Sequence, residues 1–326
     1  LLQSTETWLK SMDQGQINGV IFLDLKKAFD TVDHQILLSK LQAYGIRGLT
    51  LKWFISYLDQ RKQICMLNNF KSDIETICCG VPQGSNLGPL LFLLYINDLP
   101  NCLETTQSNL FADDTILSCQ GQSSLDIEHK LNKELVNVQK WLSANKLTLN
   151  NEKTKYMIIG SRQRLINLNH VPKITINGYR IERVYKKEVL GIVIDDKLSW
   201  NKQNENQCNK ISKNINLLRK AKEFVGLDTL QIMYKALVMP HFNYCSTVWQ
   251  INNQTHIDKL CKLQKKAARI ITNSDYTVRS SEIFQNLGWK PLDFILKKRD
   301  LFMTFKAING MLPEYITKLF HTCENS

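Results

Sequence analysis

Long apolar runs are missing from this chain. No stretch of its 326 residues approaches the roughly 20 that a membrane-crossing helix needs, which argues against a membrane protein. A basic flank followed by an apolar segment is also missing, and the first residue is Leu1 rather than methionine. The reading is an intracellular fragment without a secretory signal, preceded by further sequence. No Cys-x-x-Cys pair occurs among the nine cysteines at 65, 78, 79, 102, 119, 208, 245, 261 and 323, so neither a zinc ribbon nor a dithiol redox centre is expected. His241 and Cys245 lie four residues apart but do not complete the four ligands of a structural zinc. The cysteines read as reduced, mostly buried thiols. There is no Gly/Ser-rich or Pro-rich linker, no fixed-period repeat and no low-complexity tract.

What is present is ordinary globular material, 43% hydrophobic and 22% charged, in a chain longer than one average domain. Two lobes are the natural expectation. The net charge of +12 is uneven: residues 1–160 hold 15 Lys and Arg against 16 Asp and Glu, whereas residues 161–326 hold 27 against 14. The second half is therefore the basic one. It suits a polyanion such as nucleic acid, and equally a solvated helical surface.

Gly19–Asp24 is a β-branched and apolar run that fits a buried strand ending in a carboxylate. Helical spacing of Ile36, Leu37, Leu38 and Leu41, with Gly45 as a stop, predicts a helix over 31–43, and a second is expected over 49–58. The turn-forming Gly80-Val-Pro-Gln-Gly-Ser leads into an apolar, buried helix over 89–99. Apolar residues on both sides of Asp113-Asp114 predict a tight hairpin within 108–118, with the aspartates at its turn. An amphipathic helix follows over 123–143, burying Leu125, Leu131, Leu135, Val138 and Leu142 and turning Lys130, Lys133, Glu134 and Lys140 to water. Strands over 155–159 and 188–194, with a hairpin over 173–180, complete a mixed first lobe. Beyond about residue 204 the segments 206–224, 228–238, 255–272 and 292–309 have helical character, so a second, helical lobe begins near 196–204.

Asp24 at a strand end and the Asp113-Asp114 pair at a hairpin turn are the residues most suggestive of chemistry. Transfer of a nucleotide to a 3′ hydroxyl uses two divalent ions about 3.5–4 Å apart, and such hard cations take carboxylate oxygens. One aspartate and an adjacent pair can form that cradle. Taken singly, Asp24 can equally cap the following helix, and Asp-Asp is a common turn dipeptide.

Leu23-Asp-Leu-Lys-Lys-Ala-Phe-Asp-Thr-Val-Asp-His34 resembles the first catalytic motif of jockey-like non-LTR retrotransposon reverse transcriptases. Gly80-Val-Pro-Gln-Gly-Ser-Asn-Leu-Gly-Pro-Leu-Leu-Phe92, running on to Tyr95-Ile-Asn-Asp-Leu-Pro100, resembles their second motif, and Phe111-Ala-Asp-Asp114 their catalytic box. Further likeness lies in Tyr44-Gly-Ile-Arg-Gly48, Trp53-Phe-Ile-Ser-Tyr-Leu58, Asn150-Asn-Glu-Lys-Thr154, Leu190-Gly191 and Asp196-Lys-Leu-Ser-Trp200, so the resemblance covers nearly the whole chain.

The resemblance implies an α+β right-hand polymerase palm with partial fingers over 1–198, followed by an all-α thumb and C-terminal helical region over 199–326. It implies RNA-directed DNA polymerase activity on an RNA template and a DNA primer or target, with dNTP substrates and two Mg2+ ions for which Mn2+ can substitute. By position, Asp24, Asp113 and Asp114 would be the catalytic metal ligands, with the backbone carbonyl of Leu25 beside them. Phe29 would lie under the incoming sugar and exclude a 2′ hydroxyl, whereas without the motif it reads as a core phenylalanine. Gln83 and Gly84 would line the nascent base pair; the other reading is a helix-entry turn. Lys153 would protonate the departing pyrophosphate, against the reading of a surface lysine with Lys155 nearby. Leu190-Gly191 would form the primer-gripping hairpin, and Lys210, Lys213, Arg219, Lys220, Lys262, Lys266 and Arg269 would track phosphates. Upstream fingers, an endonuclease, a nuclear location and a ribonucleoprotein partner are further implications. Two departures stand out, Asn86 for an apolar residue and Val189 for an aromatic. Two other readings remain open: a repurposed relic that binds nucleic acid without catalysis, and a two-metal nuclease.

Overall fold

The computed structural model describes residues 1–250 and 254–320. They divide into two compact units, Lys10–Tyr185 and the chain from Lys186 onward together with Leu1–Leu9. Helix α1 (Leu2–Asp13) belongs to both.

In the first unit, β1 (Ile17–Leu23) is the centre of a five-stranded sheet. It pairs antiparallel with β7 (Asp114–Gly121) on one side and β8 (Lys155–Ile159) on the other. β6 (Gln107–Phe111) and β11 (Glu182–Arg183) are the edges. The helices α2 (His34–Ala43), α4 (Leu87–Ile96) and α5 (Ser124–Ala144) cover one face. Ile21, Leu23, Leu117, Tyr156 and Ile158 from the strands meet Leu37, Leu41, Leu91, Phe92, Leu131, Leu135 and Val138 from those helices in one core. Removing such apolar area from water is the main force holding the layers together. Helix α3 (Gly48–Leu58) leads to two short ribbons, β2 (Lys62–Gln63) with β5 (Glu75–Thr76) and β3 (Met66–Leu67) with β4 (Phe70–Lys71). After β8 come α6 (Arg162–Ile166) and a small hairpin of β9 (Thr175–Ile176) and β10 (Tyr179–Arg180).

Several expectations need correction. The helix expected over 31–43 starts only at His34, because Asp33 caps it by accepting from the Ile36 amide at 3.0 Å, and 31–33 bind another segment instead. The helix expected over 89–99 spans 87–96 and leaves Leu90 and Leu93 exposed. Leu125 is exposed; Ile127 takes its place in the buried stripe.

Glu134, expected to face water, is fully buried. Its carboxylate accepts from the amides of Glu104 (3.0 and 3.1 Å) and Thr105 (2.5 Å) and from the Thr105 hydroxyl (2.8 Å). Glu134→Ala removes the shared acceptor of those part-buried donors and is expected to cost about 1–3 kcal/mol, read as a lower urea midpoint.

The cysteines are mostly not buried. Eight are free thiols, of which Cys119 is buried, Cys102, Cys208, Cys245 and Cys261 are half-buried and Cys65, Cys78 and Cys79 are exposed; Cys323 lies outside the described residues. Three of them sit at the exposed ribbons or the loop beyond, which have little core to offer.

The second unit begins with a hairpin, β12 (Lys186–Val189) and β13 (Ile192–Asp195), where a single strand was expected over 188–194. The hairpin belongs to this unit because it packs on α7 (Asn201–Ala221), whose Gln203 accepts the Val193 amide at 2.9 Å. The compact units therefore part at Tyr185–Lys186, earlier than the expected 196–204. Asp195 orders the exit from β13, accepting from the amides of Lys197, Ser199 and Trp200. Helices α8 (Leu227–Leu237), α9 (Met239–Asn243) and α10 (Ser246–Trp249) lead to α11 (Gln254–Thr272), which packs along α7. Then α12 (Ser280–Leu287), α13 (Leu292–Ile308) and α14 (Glu314–Thr317) follow. Tyr234 and Trp289 stack at 3.8 Å between ring centroids, fixing the turn before α13 to α8. Among the described residues no helix is long and apolar enough to cross a membrane.

Candidate active site at the rim of the sheet

β6 and β7 close in a two-residue turn: Phe111 pairs with Asp114, leaving Ala112 and Asp113 at the tip, with Ala112 at φ +51°. In the adjoining ladder Leu23 pairs with Thr115, so Asp24 and Asp114 stand one step beyond the last registered pair. Side chains alternate along strands. Leu23 and Leu117 point into the helix-covered core, which puts Asp24 and Asp114 on the opposite face with Phe22 and Ile116. All three carboxylates singled out from the sequence thus lie on one rim.

Asp24 is fixed by its backbone. Its amide donates to the Thr154 hydroxyl at 3.2 Å, and its carbonyl accepts from the Asn150 amide at 2.7 Å. Thr154 is fully buried, and the turn it closes carries Lys153 at the surface beside the rim. Lys153 makes no ion pair among the described residues, whereas Lys155 is bound to Glu182 at 2.5 Å. A bridge joins Leu25 to Leu149; its two hydrogen bonds use the carbonyls of Asp24 and Thr148, not that of Leu25.

The other end of the first motif is bound to the second. The Gly80 amide donates to the Val32 carbonyl (2.7 Å), the Val81 amide to Phe29 (2.8 Å), and Gln83 Nε2 to Asp30 Oδ1 (2.7 Å), while His34 Nε2 lies 2.7 Å from the Gly80 carbonyl. Gly80 has φ +87°, and a Cβ there would come within 2.8 Å of the Asp30 carbonyl oxygen. Only glycine permits that approach. Gly84, at φ +78°, faces open space. Phe29 lies against Phe92 of α4, with ring centroids 4.6 Å apart, so its position is set from below by the core. Lys146 at 2.6 Å holds the Asp33 carboxyl below the usual range and so keeps the α2 cap ionised. Beside the second motif opens a cavity of about 730 Å3 lined by Asp30, Arg61, Lys62, Ile64, Cys79 and Gln83.

Carboxylate oxygens are the donors magnesium prefers, and it needs only a few of them because it keeps several waters. In donor chemistry and backbone register the rim fits that ion. No three His, Cys, Asp or Glu side chains among the described residues stand close enough to hold a metal as they lie, so the rim is a shared edge and not a closed cage.

In the second unit Leu190 and Gly191 are the turn of the β12–β13 hairpin, at φ +48° and +77°. On α11 the buried residues Leu260, Gln264, Ala267 and Ile271 leave Lys262 and Lys266 on the outer face. Arg269 shares that side, but its guanidinium is engaged with the Val278 carbonyl (3.2 Å) and the Ser280 hydroxyl (3.3 Å). On α7, Lys213 and Lys220 lie opposite the buried stripe of Ile211, Ile215 and Leu218, while Lys210 and Arg219 fall on its two exposed flanks.

Thr154, His34, Asp30 and the pair Arg61 and Lys62 were not singled out from the sequence. The first three lie inside quoted motifs, but only the fold shows their partners in another motif: the Asp24 amide for Thr154, the Gly80 carbonyl for His34 and the Gln83 side-chain amide for Asp30. Nothing in the sequence marks Arg61 and Lys62 beyond their charge.

A family profile described as "Reverse transcriptase (RNA-dependent DNA polymerase)" matches residues 2–228. The RNA-directed DNA polymerase from mobile element jockey of Drosophila melanogaster is 28% identical over 290 residues, covering 86% of this chain. The probable RNA-directed DNA polymerase from transposon X-element of the same species is 25% identical over 293 residues, also covering 86%. This chain spans 31% of the length of each. Among solved structures, apo telomerase from Candida Tropicalis superposes with a TM-score of 0.50 at 12% identity, covering 87% of this chain and 46% of that one, a likeness of fold. With the motifs in order along an α+β sheet that brings their carboxylates to one rim, and with the profile matching most of the chain, this chain belongs to the reverse transcriptase family.

Proposed function

We propose that this chain is the palm and thumb of an RNA-directed DNA polymerase of a non-LTR retrotransposon, adding deoxynucleotides to a primer 3′ hydroxyl on an RNA template. The observation that carries this reading is the register that puts Asp24 and Asp114 at adjoining strand ends on one face, with Asp113 in the turn between β6 and β7. Asp24, Asp113 and Asp114, with the Leu25 carbonyl, would hold two magnesium ions, for which manganese can substitute. When bound, these ions supply the Lewis acidity that such a transfer needs.

The remaining groups bind and orient. Phe29, braced by Phe92, fills the space under the sugar and excludes a 2′ hydroxyl. Gln83 and Gly84 border the new base pair, and Lys153 stands ready to give a proton to the leaving pyrophosphate. Leu190 and Gly191 hold the primer, while Lys210, Lys213, Arg219, Lys220, Lys262 and Lys266 follow phosphates without reading sequence. Arg269 would add charge while bracing the loop before α12. Fingers and an endonuclease elsewhere in a longer protein, and work inside a nuclear ribonucleoprotein, complete the picture.

The test is extension of a DNA primer on an RNA template by this chain with dNTPs and Mg2+ or Mn2+. Template-directed extension is expected. Binding of the hybrid without extension would favour the second reading, a nucleic-acid binder without catalysis. Cleavage of labelled RNA or DNA in the absence of nucleotides would favour a nuclease.

Phe29 gives a sharper check. Phe29→Val should raise ribonucleotide incorporation relative to deoxynucleotide by roughly 10- to 100-fold, since removing a steric block reverses a discrimination of a few kcal/mol. An unchanged ratio in paired extension assays would remove Phe29 from this role.

A further inference from the structure

The Leu190–Gly191 turn is held from outside its own hairpin. Two successive residues at positive φ form a tight turn, and one of them is a leucine, which pays a steric penalty that glycine or asparagine avoids. Tyr244, 54 residues downstream, donates its hydroxyl to the Leu190 carbonyl at 2.7 Å. Its Cε1 lies 3.8 Å from where a Cβ on Gly191 would stand. Tyr244 is itself anchored: the buried Trp249 donates its indole N–H to the Tyr244 carbonyl at 2.8 Å, and Arg299 donates to the carbonyl of Asn243. A side chain recruited only for packing would be covered, yet this one is 53% exposed. Its fixed ring borders a turn whose two N–H groups lie outside the Val189–Ile192 pairing. Backbone N–H groups are phosphate donors.

We infer that Tyr244 is a positioning residue that holds the Leu190–Gly191 turn in the shape that binds the primer strand. This rests on the proposed function, which assigns that turn to the primer. Where the family resemblance implies an aromatic before Leu-Gly this chain has Val189, and Tyr244, just after α9, brings an aromatic ring to the same turn.

The experiment compares the 326-residue chain with Tyr244→Phe and with the double variant Tyr244→Phe, Leu190→Asn. The probes are a fluorescent DNA primer with a recessed 3′ end on an RNA template and a blunt hybrid of equal length. Tyr244→Phe should speed dissociation of the recessed probe about fivefold, the loss of one hydrogen bond. It should leave dissociation of the blunt hybrid unchanged, lower the unfolding midpoint by no more than the loss of one hydrogen bond, and speed hydrogen exchange at the paired amides of Val189 and Ile192. Asn-Gly favours this turn by itself, so the double variant should return the exchange of the paired Val189 and Ile192 amides to the parent's rate. Equal dissociation of Tyr244→Phe and the parent from the recessed probe overturns the inference while leaving the proposed function standing, as does a failed rescue. A parent chain that does not bind the recessed probe at all overturns both.

Discussion

Replacing Asp24 by asparagine should lower nucleotide incorporation by about a thousandfold or more without unfolding the protein. The size follows from what the carboxylate does in the proposed chemistry: losing one ligand of the shared ions removes several kcal/mol of transition-state stabilisation, at about 1.4 kcal/mol per tenfold. The fold should survive because Asp24 is held through its amide and carbonyl, bonded to Thr154 and Asn150, and asparagine keeps both. Removing a negative charge from a rim of three carboxylates also relieves repulsion. The check is extension rate beside hybrid affinity and thermal midpoint. Loss of extension with affinity and midpoint retained is expected. A variant that extends within about tenfold of the parent would place the chemistry elsewhere.

Gly80→Ala should do the reverse, damaging the fold and, through it, the site. The new Cβ would meet Asp30 backbone atoms at 2.8, 2.9 and 3.0 Å, where no side chain can swing aside. A non-glycine residue at φ +87° adds strain of its own. The cost is expected to be about 2–4 kcal/mol, or a local separation of the two motifs that breaks the Gly80–Val32, Val81–Phe29 and Gln83–Asp30 bonds together. Denaturant midpoints measure the first outcome, and hydrogen exchange at the amides of Gly80 and Val81 the second. A variant with parent-like midpoint and protection would show that Gly80 is a permissive turn and not a wedge.

The elements most legible in the sequence were those whose periodicity is met by a local core. β8 spans the expected 155–159, and α5 starts one residue after the expected 123 because Ser123 is its cap. β1 begins two residues before expectation and ends at Leu23, so Asp24 is a strand-end carboxylate as read. What periodicity could not show were long-range claims on backbone and polar groups. Residues 31–33 scan as helix, yet their backbone pairs with 79–81, which outweighs propensity. Glu134 scans as a solvent-facing residue because its donors lie at Glu104 and Thr105, thirty residues away. The single strand expected over 188–194 runs through Leu190-Gly191, whereas the family resemblance of the same pair implies a hairpin, which is what the chain forms. The two-residue strands between 62 and 76 are too short for any period to register.

The site divides in the same way. Asp24, Asp113, Asp114 and Phe29 stood out through the motifs that carry them, since singly each also reads as a cap, a turn or a core residue. Thr154, Gly80 and His34 did not, because their part is to hold a backbone in place, and a sequence does not reveal which backbone lies opposite.

Asp24 and the Asp113–Asp114 turn are proposed to share bound cations. Ferrous iron in place of magnesium, with peroxide and ascorbate, cuts the peptide backbone beside the site it occupies. Two cuts are expected, one near residues 23–25 and one near 111–115, both suppressed by excess Mg2+ and both lost together in Asp113→Asn. A cut at one location alone, or a cut near 23–25 that persists unchanged in Asp113→Asn, would contradict that sharing.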